Sequence, residues 1–87
     1  MINILHISTA TSWRGGEQQL SYLIDALKRY PVKQYLLCVE QSEISKRIIN
    51  NCEIITLKEP SLLSFNWVRK ISEISIKKNI DIIQLQV

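Results

Sequence analysis

The feature that most constrains this chain is the way its apolar pattern changes period along the sequence. Ile2 to Ser8 is a short β-rich run and reads as a strand. From Glu17 to Arg29 the apolar residues fall at Leu20, Leu23, Ile24 and Leu27, one stripe on a helix. Pro31 stops that helix, since it has no N–H and restricts Tyr30 before it. Gln34 to Glu40 reads as a second strand centred on Tyr35-Leu36-Leu37-Cys38-Val39. Ser42 is an N-cap for a short helix to about Asn50, with Ile44, Ile48 and Ile49 inward. Glu53 to Leu57 is a third strand, followed by a loop punctuated by Pro60. Ser64 caps a longer helix to about Asn79 that carries Trp67, Val68, Ile71 and Ile74 inward. Ile80 to Val87 is a fourth strand.

Continuous apolar strands joined by helices predict an α/β fold with a parallel sheet buried on both faces. The expected architecture is a partial doubly wound domain, residues 1–87, with three helices and four parallel strands in order 3-2-1-4. In such folds ligands bind at the carboxyl ends of the strands, beside the point where the strand order reverses. Here that point lies between the loop Thr9–Gly16 and the end of the fourth strand.

The first helix pair is expected to cover one sheet face and the last helix part of the other. A helix is only ~10 Å wide and strands lie ~4.8 Å apart. One helix therefore cannot shield four strands. Leu36, Leu37, Cys38, Ile54 and Ile55 are expected to leave apolar surface uncovered, and Ile82 to Val87 an unpaired edge. Self-association or a partner chain follows as an expectation.

Composition narrows the function classes. A net charge of +3 comes from scattered pairs: Lys28 and Arg29, Lys46 and Arg47, Arg69 and Lys70, Lys77 and Lys78. These read as solvated helix surface and leave room for peripheral contact with an anionic membrane face. No basic run carries interleaved aromatics, so nucleic-acid binding is not expected. Cys38 and Cys52 lack metal-ligand spacing and read as buried thiols suited to a reducing cytoplasm. The start of the chain lacks a basic region and a long apolar core, and no stretch is long enough to span a membrane. No metal or cofactor is expected, and no catalytic triad or carboxylate pair can be assembled.

One segment carries binding chemistry. Ser12-Trp13-Arg14-Gly15-Gly16-Glu17-Gln18 places paired glycines against the start of a helix. Glycine lets a backbone approach a bound group closely, and a helix start offers free N–H groups to a phosphate or carboxylate. The pattern is neither GxGxxG nor a Walker A sequence, and a plain turn that needs glycine for its backbone angles explains it equally well. At the end of the fourth strand, alternation puts Gln84 and Gln86 on one face. His6 reads as a hydrogen-bonded core residue. Core packing or exposure explains Trp13 and Trp67 as well as sugar stacking does.

These residues also carry a resemblance. Ile4-Leu5-His6-Ile7-Ser8 followed by Trp13-Arg14-Gly15-Gly16-Glu17-Gln18-Gln19-Leu20 resembles the opening of GT-B glycosyltransferases of the retaining group that contains family four. The resemblance implies a Rossmann-like N-terminal lobe that holds mainly the acceptor. A separate lobe then holds a nucleotide-sugar donor. It implies that Gly15, Gly16 and Glu17 lie where substrate or the donor diphosphate approaches, with Ser12, Arg14, Gln84 and Gln86 lining the cleft. Many relatives carry Asp-Ile-Ile-His-x-His on the fourth strand. Here the matching stretch is Asp81-Ile82-Ile83-Gln84-Leu85-Gln86, with glutamine at both histidine positions. Glutamine bonds a hydroxyl but does not titrate near neutrality. The resemblance implies a segment that is inactive alone and acts on a nucleotide-sugar and a glycan or lipid-linked acceptor only when the other lobe is supplied. The alternatives are half of a split enzyme and a non-catalytic interaction module.

Overall fold

The computed structural model describes residues 1–11, 13, 15–48, 52–58 and 64–86. Elements alternate as the pattern predicts: β1 (Ile2–Ser8), α1 (Gly15–Leu27), β2 (Val32–Val39), α2 (Glu43–Arg47), β3 (Glu53–Leu57), α3 (Phe65–Lys77) and β4 (Ile82–Gln86). The sheet is parallel throughout, in order β3-β2-β1-β4. The chain thus has the α/β, Rossmann-like partial architecture read from its sequence.

Side-chain alternation sorts the core into two layers. Leu36 and Cys38 of β2 face Leu20 and Ile24 of α1, with Ile44 and Ile48 from α2 and its end. Leu5 and Ile7 of β1, with Tyr35, Leu37 and Val39 of β2, face Trp67 and Ile74 of α3. α1 and α2 therefore lie on one face and α3 on the other.

Coverage differs from the expectation at β2. Leu36, Leu37 and Cys38 are fully buried, while Ile54 and Ile55 of β3 are half-buried. The reason is placement. α3 sets the large indole of Trp67 over β1 and β2, and Ile55 and Leu57 of β3 pack against the same cluster. The uncovered strand is β4, where Ile82, Ile83 and Leu85 are 48%, 51% and 47% exposed. One helix indeed fails to shield four strands, but the unshielded one is the edge next to β1.

Helix ends also differ. α1 starts at Gly15 instead of Glu17 and ends at Leu27, two residues before Arg29. Lys28, Arg29 and Tyr30 continue as tight turns, bonding back to Asp25, Ala26 and Leu27. α2 ends at Arg47 with Ile48 as its C-cap, so the inward placement of Ile49 falls outside the described residues. Both serine caps are present: Ser42 Oγ accepts from Ser45 N and Ser64 Oγ from Asn66 N. Val68, expected inward, is 54% exposed, because α3 turns Trp67, Ile71 and Ile74 to the sheet. Leu23 likewise sits at the rim of the α1 stripe, 39% exposed.

β4 is held at its entry by Asn3. Asn3 N donates to Asp81 Oδ2 and Asp81 N donates to Asn3 O, each at 2.8 Å. Asn3 Nδ2 also donates to the carbonyls of Lys78 and Asn79, which end α3. Asn79 takes a φ of 50°, the left-handed turn residue after the helix.

Candidate functional site

The site is built where β1, β4 and the start of α1 converge. Registry places His6 beside Gln84 and Ser8 beside Gln86. Even-numbered positions of β1 and β4 share the α1 face, so His6, Ser8, Gln84 and Gln86 lie together there. A Cβ added to Gly16 would stand 2.8 Å from Gln86 Nε2. Gln86 thus fills the space that a side chain at Gly16 would need.

The two glycines are consequently not alike. Neither has a positive φ, so a need for unusual backbone angles does not explain them. Both lie inside α1 and not in the loop before it. Gly15 has open space around its Cβ direction, whereas a Cβ at Gly16 would meet the far end of the Gln86 side chain. Glu17, next along the helix, is buried, and its Oε1 has no hydrogen-bond partner. Ser12 and Arg14, expected in the cleft, lie outside the described residues. Gln84 and Gln86 are half-buried, as a cleft wall would have them.

Behind this surface lies a polar chain that sequence reasoning recognised only in part. His6 is fully buried and bonded at both ring nitrogens. Its Nε2 is 2.8 Å from Gln34 Oε1 and its Nδ1 is 3.1 Å from Gln84 Oε1. Gln84 Nε2 in turn donates to Gln86 Oε1 at 3.4 Å. At the other end Gln34 Nε2 donates to Ile24 O at 3.0 Å. Ile24 O belongs to the last turn of α1, where carbonyls lack helical partners, so Gln34 satisfies an orphan acceptor. Gln34 was the residue to notice: a polar side chain on an apolar strand, in step with the buried Leu36 and Cys38.

The two tryptophans serve packing. Trp67 is in the α3 core. Trp13 packs against the Leu20 and Ile24 layer, with the Arg47 guanidinium 4.3 Å from its ring centroid. Glu43 N donates to Thr11 O at 3.4 Å, so the start of α2 holds Thr11. Arg47 also pairs with Glu43, Lys28 with Asp25, and Lys70 and Lys77 with Glu73, which accounts for much of the basic helix surface.

No family model, no curated protein and no solved structure matches the chain. The chemistry must therefore be argued from the residues. Among the described residues no group of three His, Cys, Asp or Glu could hold a metal ion. Among them, too, no helix is long and apolar enough to cross a membrane. An apolar groove of about 520 Å³ opens at the opposite, amino end of the strands, between Ile2, Ile4, Leu27, Tyr30 and Ile82. It lacks the convergent polar groups that orient a ligand. Polar groups converge instead at the carboxyl end, where the amides of Gln84 and Gln86 meet the start of α1.

The cysteines occupy the α1–α2 layer. Cys38 is buried and Cys52 half-buried, and both are free thiols. Burial pushes the Cys38 thiol up to about 11, against a smaller lowering by its hydrogen bond with Ser42. Burial and the nearby Cys38 raise Cys52 to about 11 as well. Neither thiol has the lowered pKa of a nucleophile.

Proposed function

We propose that this chain is the N-terminal, acceptor-side segment of a GT-B glycosyltransferase. With a donor-binding lobe it transfers sugar from a nucleotide-sugar to a glycan or lipid-linked acceptor. One observation carries the reading: the contact between Gly16 and Gln86. It brings the paired-glycine helix start and the polar end of β4 to one place, at the carboxyl ends of adjacent strands. That is where doubly wound sheets bind ligands. The Gly-Gly-Glu sequence and the order of elements add the family resemblance.

Glycosyl transfer needs groups from both sides of a cleft to hold the transition state more tightly than the substrates. Among its described residues this segment supplies amides and a helix start, and no acid–base pair. It is therefore inactive alone. The test combines the chain with a separately produced donor-binding lobe and follows release of nucleoside diphosphate from nucleotide-sugars. Turnover by the purified chain alone contradicts the one-lobe assignment. A two-lobe mixture that binds neither saccharide nor nucleoside diphosphate sinks the reading altogether.

A second reading, a non-catalytic interaction module, is favoured by the exposure of Ile82, Ile83 and Leu85 on the β4 edge. Formation of a stable homodimer without saccharide affinity would decide for it.

A further inference from the structure

The two long helices have the same length and different outer faces. α1 and α3 each run for 13 residues. α1 contains no lysine or arginine, and the hydroxyl of its exposed Tyr22 accepts from Gln18 Nε2. α3 carries apolar side chains to solvent: Phe65 is 76% and Ile76 78% exposed, and Val68 is exposed as well. These are not scattered. A helix turns about 100° per residue, so Phe65, Ser72 and Ile76 fall within roughly 40° of one another, with Val68 at their border. Trp67 and Ile74, which hold α3 to the sheet, lie on the opposite side. α3 is thus apolar on two faces, and only one of them packs on the sheet.

Cations border the outer face. Arg69, Lys70, Lys77 and Lys78 stand on this helix or at its cap, against one carboxylate, Glu73. Lys70 and Lys77 share Glu73 at 3.6 Å each, and Lys78 pairs with Glu53. Arg69 enters none of these pairs. With Leu57, Asn66, Lys70 and Glu73 it lines a groove of about 210 Å³ on the β3 side of the helix. The charges therefore flank the apolar line and do not interrupt it.

We infer that the outer face of α3 docks on an anionic lipid bilayer. The helix lies flat in the headgroup layer, Phe65, Val68 and Ile76 enter the acyl boundary, and Arg69 with the neighbouring lysines meets lipid phosphates. At 13 residues α3 is too short to cross the hydrocarbon core, which takes ~20. Charge selects this occupant. A second copy docked face to face would set these cations against their own kind. A neutral apolar partner would leave Arg69 without compensation. An anionic bilayer meets the apolar line and the cations at once. This face lies across the sheet from α1 and the candidate site, and it does not depend on the glycosyltransferase reading.

The test uses the 87-residue chain and sedimenting vesicles, of phosphatidylcholine alone or mixed in equal parts with phosphatidylglycerol. The chain should bind the mixed vesicles, and lose most of that binding in high salt or on phosphatidylcholine alone. Phe65→Ser and Ile76→Ser should each weaken partitioning about tenfold, the effect of exposing part of an apolar side chain. Arg69→Gln should weaken it about fivefold. Tyr22→Ser, on the outer face of α1, should change nothing. All four side chains are exposed, so the variants should keep the circular dichroism of the unaltered chain. Equal binding to both kinds of vesicle, or none to either, overturns the inference. So does binding that falls with Arg69→Gln but ignores both serine variants, since that is charge attraction without insertion. If the serine variants abolish association between copies while vesicle binding persists, the face is a contact between chains and the inference falls. Each of these results leaves the glycosyltransferase reading standing.

Discussion

Gln86, the last residue of β4, reaches to Gly16, its side-chain nitrogen standing 2.8 Å from where a Cβ would be. That contact separates two glycines that look equivalent in sequence. Gly15→Ala meets nothing and replaces a poor helix former, so it should stabilise the chain by up to ~1 kcal/mol. Gly16→Ala meets only the far end of a flexible side chain. It should leave stability within ~1 kcal/mol while shifting the Gln86 side-chain amide signals. Urea melts and amide spectra of the two variants check this. A Gly15→Ala change that disturbs Gln86, or a silent Gly16→Ala, contradicts the placement.

His6 and Gln34 make the second test. Gln34→Leu keeps roughly the volume but leaves His6 Nε2 and the Ile24 carbonyl without the partner they share. Each buried group left without a partner costs about 1–3 kcal/mol. The expected loss is about 2–4 kcal/mol in chemical denaturation, large for a domain of this size. A loss below ~0.5 kcal/mol would mean that the polar chain is not maintained in solution.

Much of the fold was legible because period and punctuation agreed. β1 and β3 were readable to the residue, Ser42 and Ser64 announced their helices, and strand order followed from the βα alternation. The start of α1 was not legible, since glycine is a weak helix former and paired glycines read as a turn. The group that adjoins Gly16 is Gln86, 70 residues away, a relation no local pattern holds. Coverage of β2 was misjudged because helix width alone does not say where a tryptophan will set the helix down. Trp67 settles α3 over β1 and β2, and leaves β4 bare. In the site, Gln84 and Gln86 were visible by alternation, but the partners that orient them required registry.

The thiols predict an alkaline effect with a definite sign. Cys38 and Cys52 ionise at about 11 in the folded chain, against 9.0 for a free thiol. Below pH 9 both states hold these protons and stability does not depend on them. Above pH 9 the unfolded chain releases protons that the folded chain keeps, so stability falls until about pH 11 and then levels. The slope is at most ~1.4 kcal/mol per pH unit for each thiol. Replacing both cysteines by alanine should flatten the alkaline limb of urea stability measured from pH 8 to 11. Alkylation of the unaltered chain near neutral pH should also be slow, as it needs the thiolate. Fast alkylation of the folded chain, or an alkaline limb unchanged by the double replacement, would refute the account.

The β4 edge carries the last prediction. Ile83 and Leu85 point to the α3 side of the sheet, where α3 does not reach, and Ile82 to the α1 side. All three are about half exposed, on a strand that pairs only with β1 among the described residues. An unpaired edge offers free backbone N–H and C=O groups, and apolar side chains on both of its faces favour docking of another strand. The chain should therefore associate in a concentration-dependent way. Leu85→Lys places a charge on the exposed face without opening the core, so folding stability should change by less than ~0.5 kcal/mol. Association should drop sharply, because a lysine on an edge strand must lose its hydration when a second edge arrives. Sedimentation equilibrium of the unaltered chain and the variant, each over a range of concentrations, measures the difference. A monomer at every concentration before the substitution, or an equal tendency to associate after it, would show that β4 is not the surface through which these chains meet.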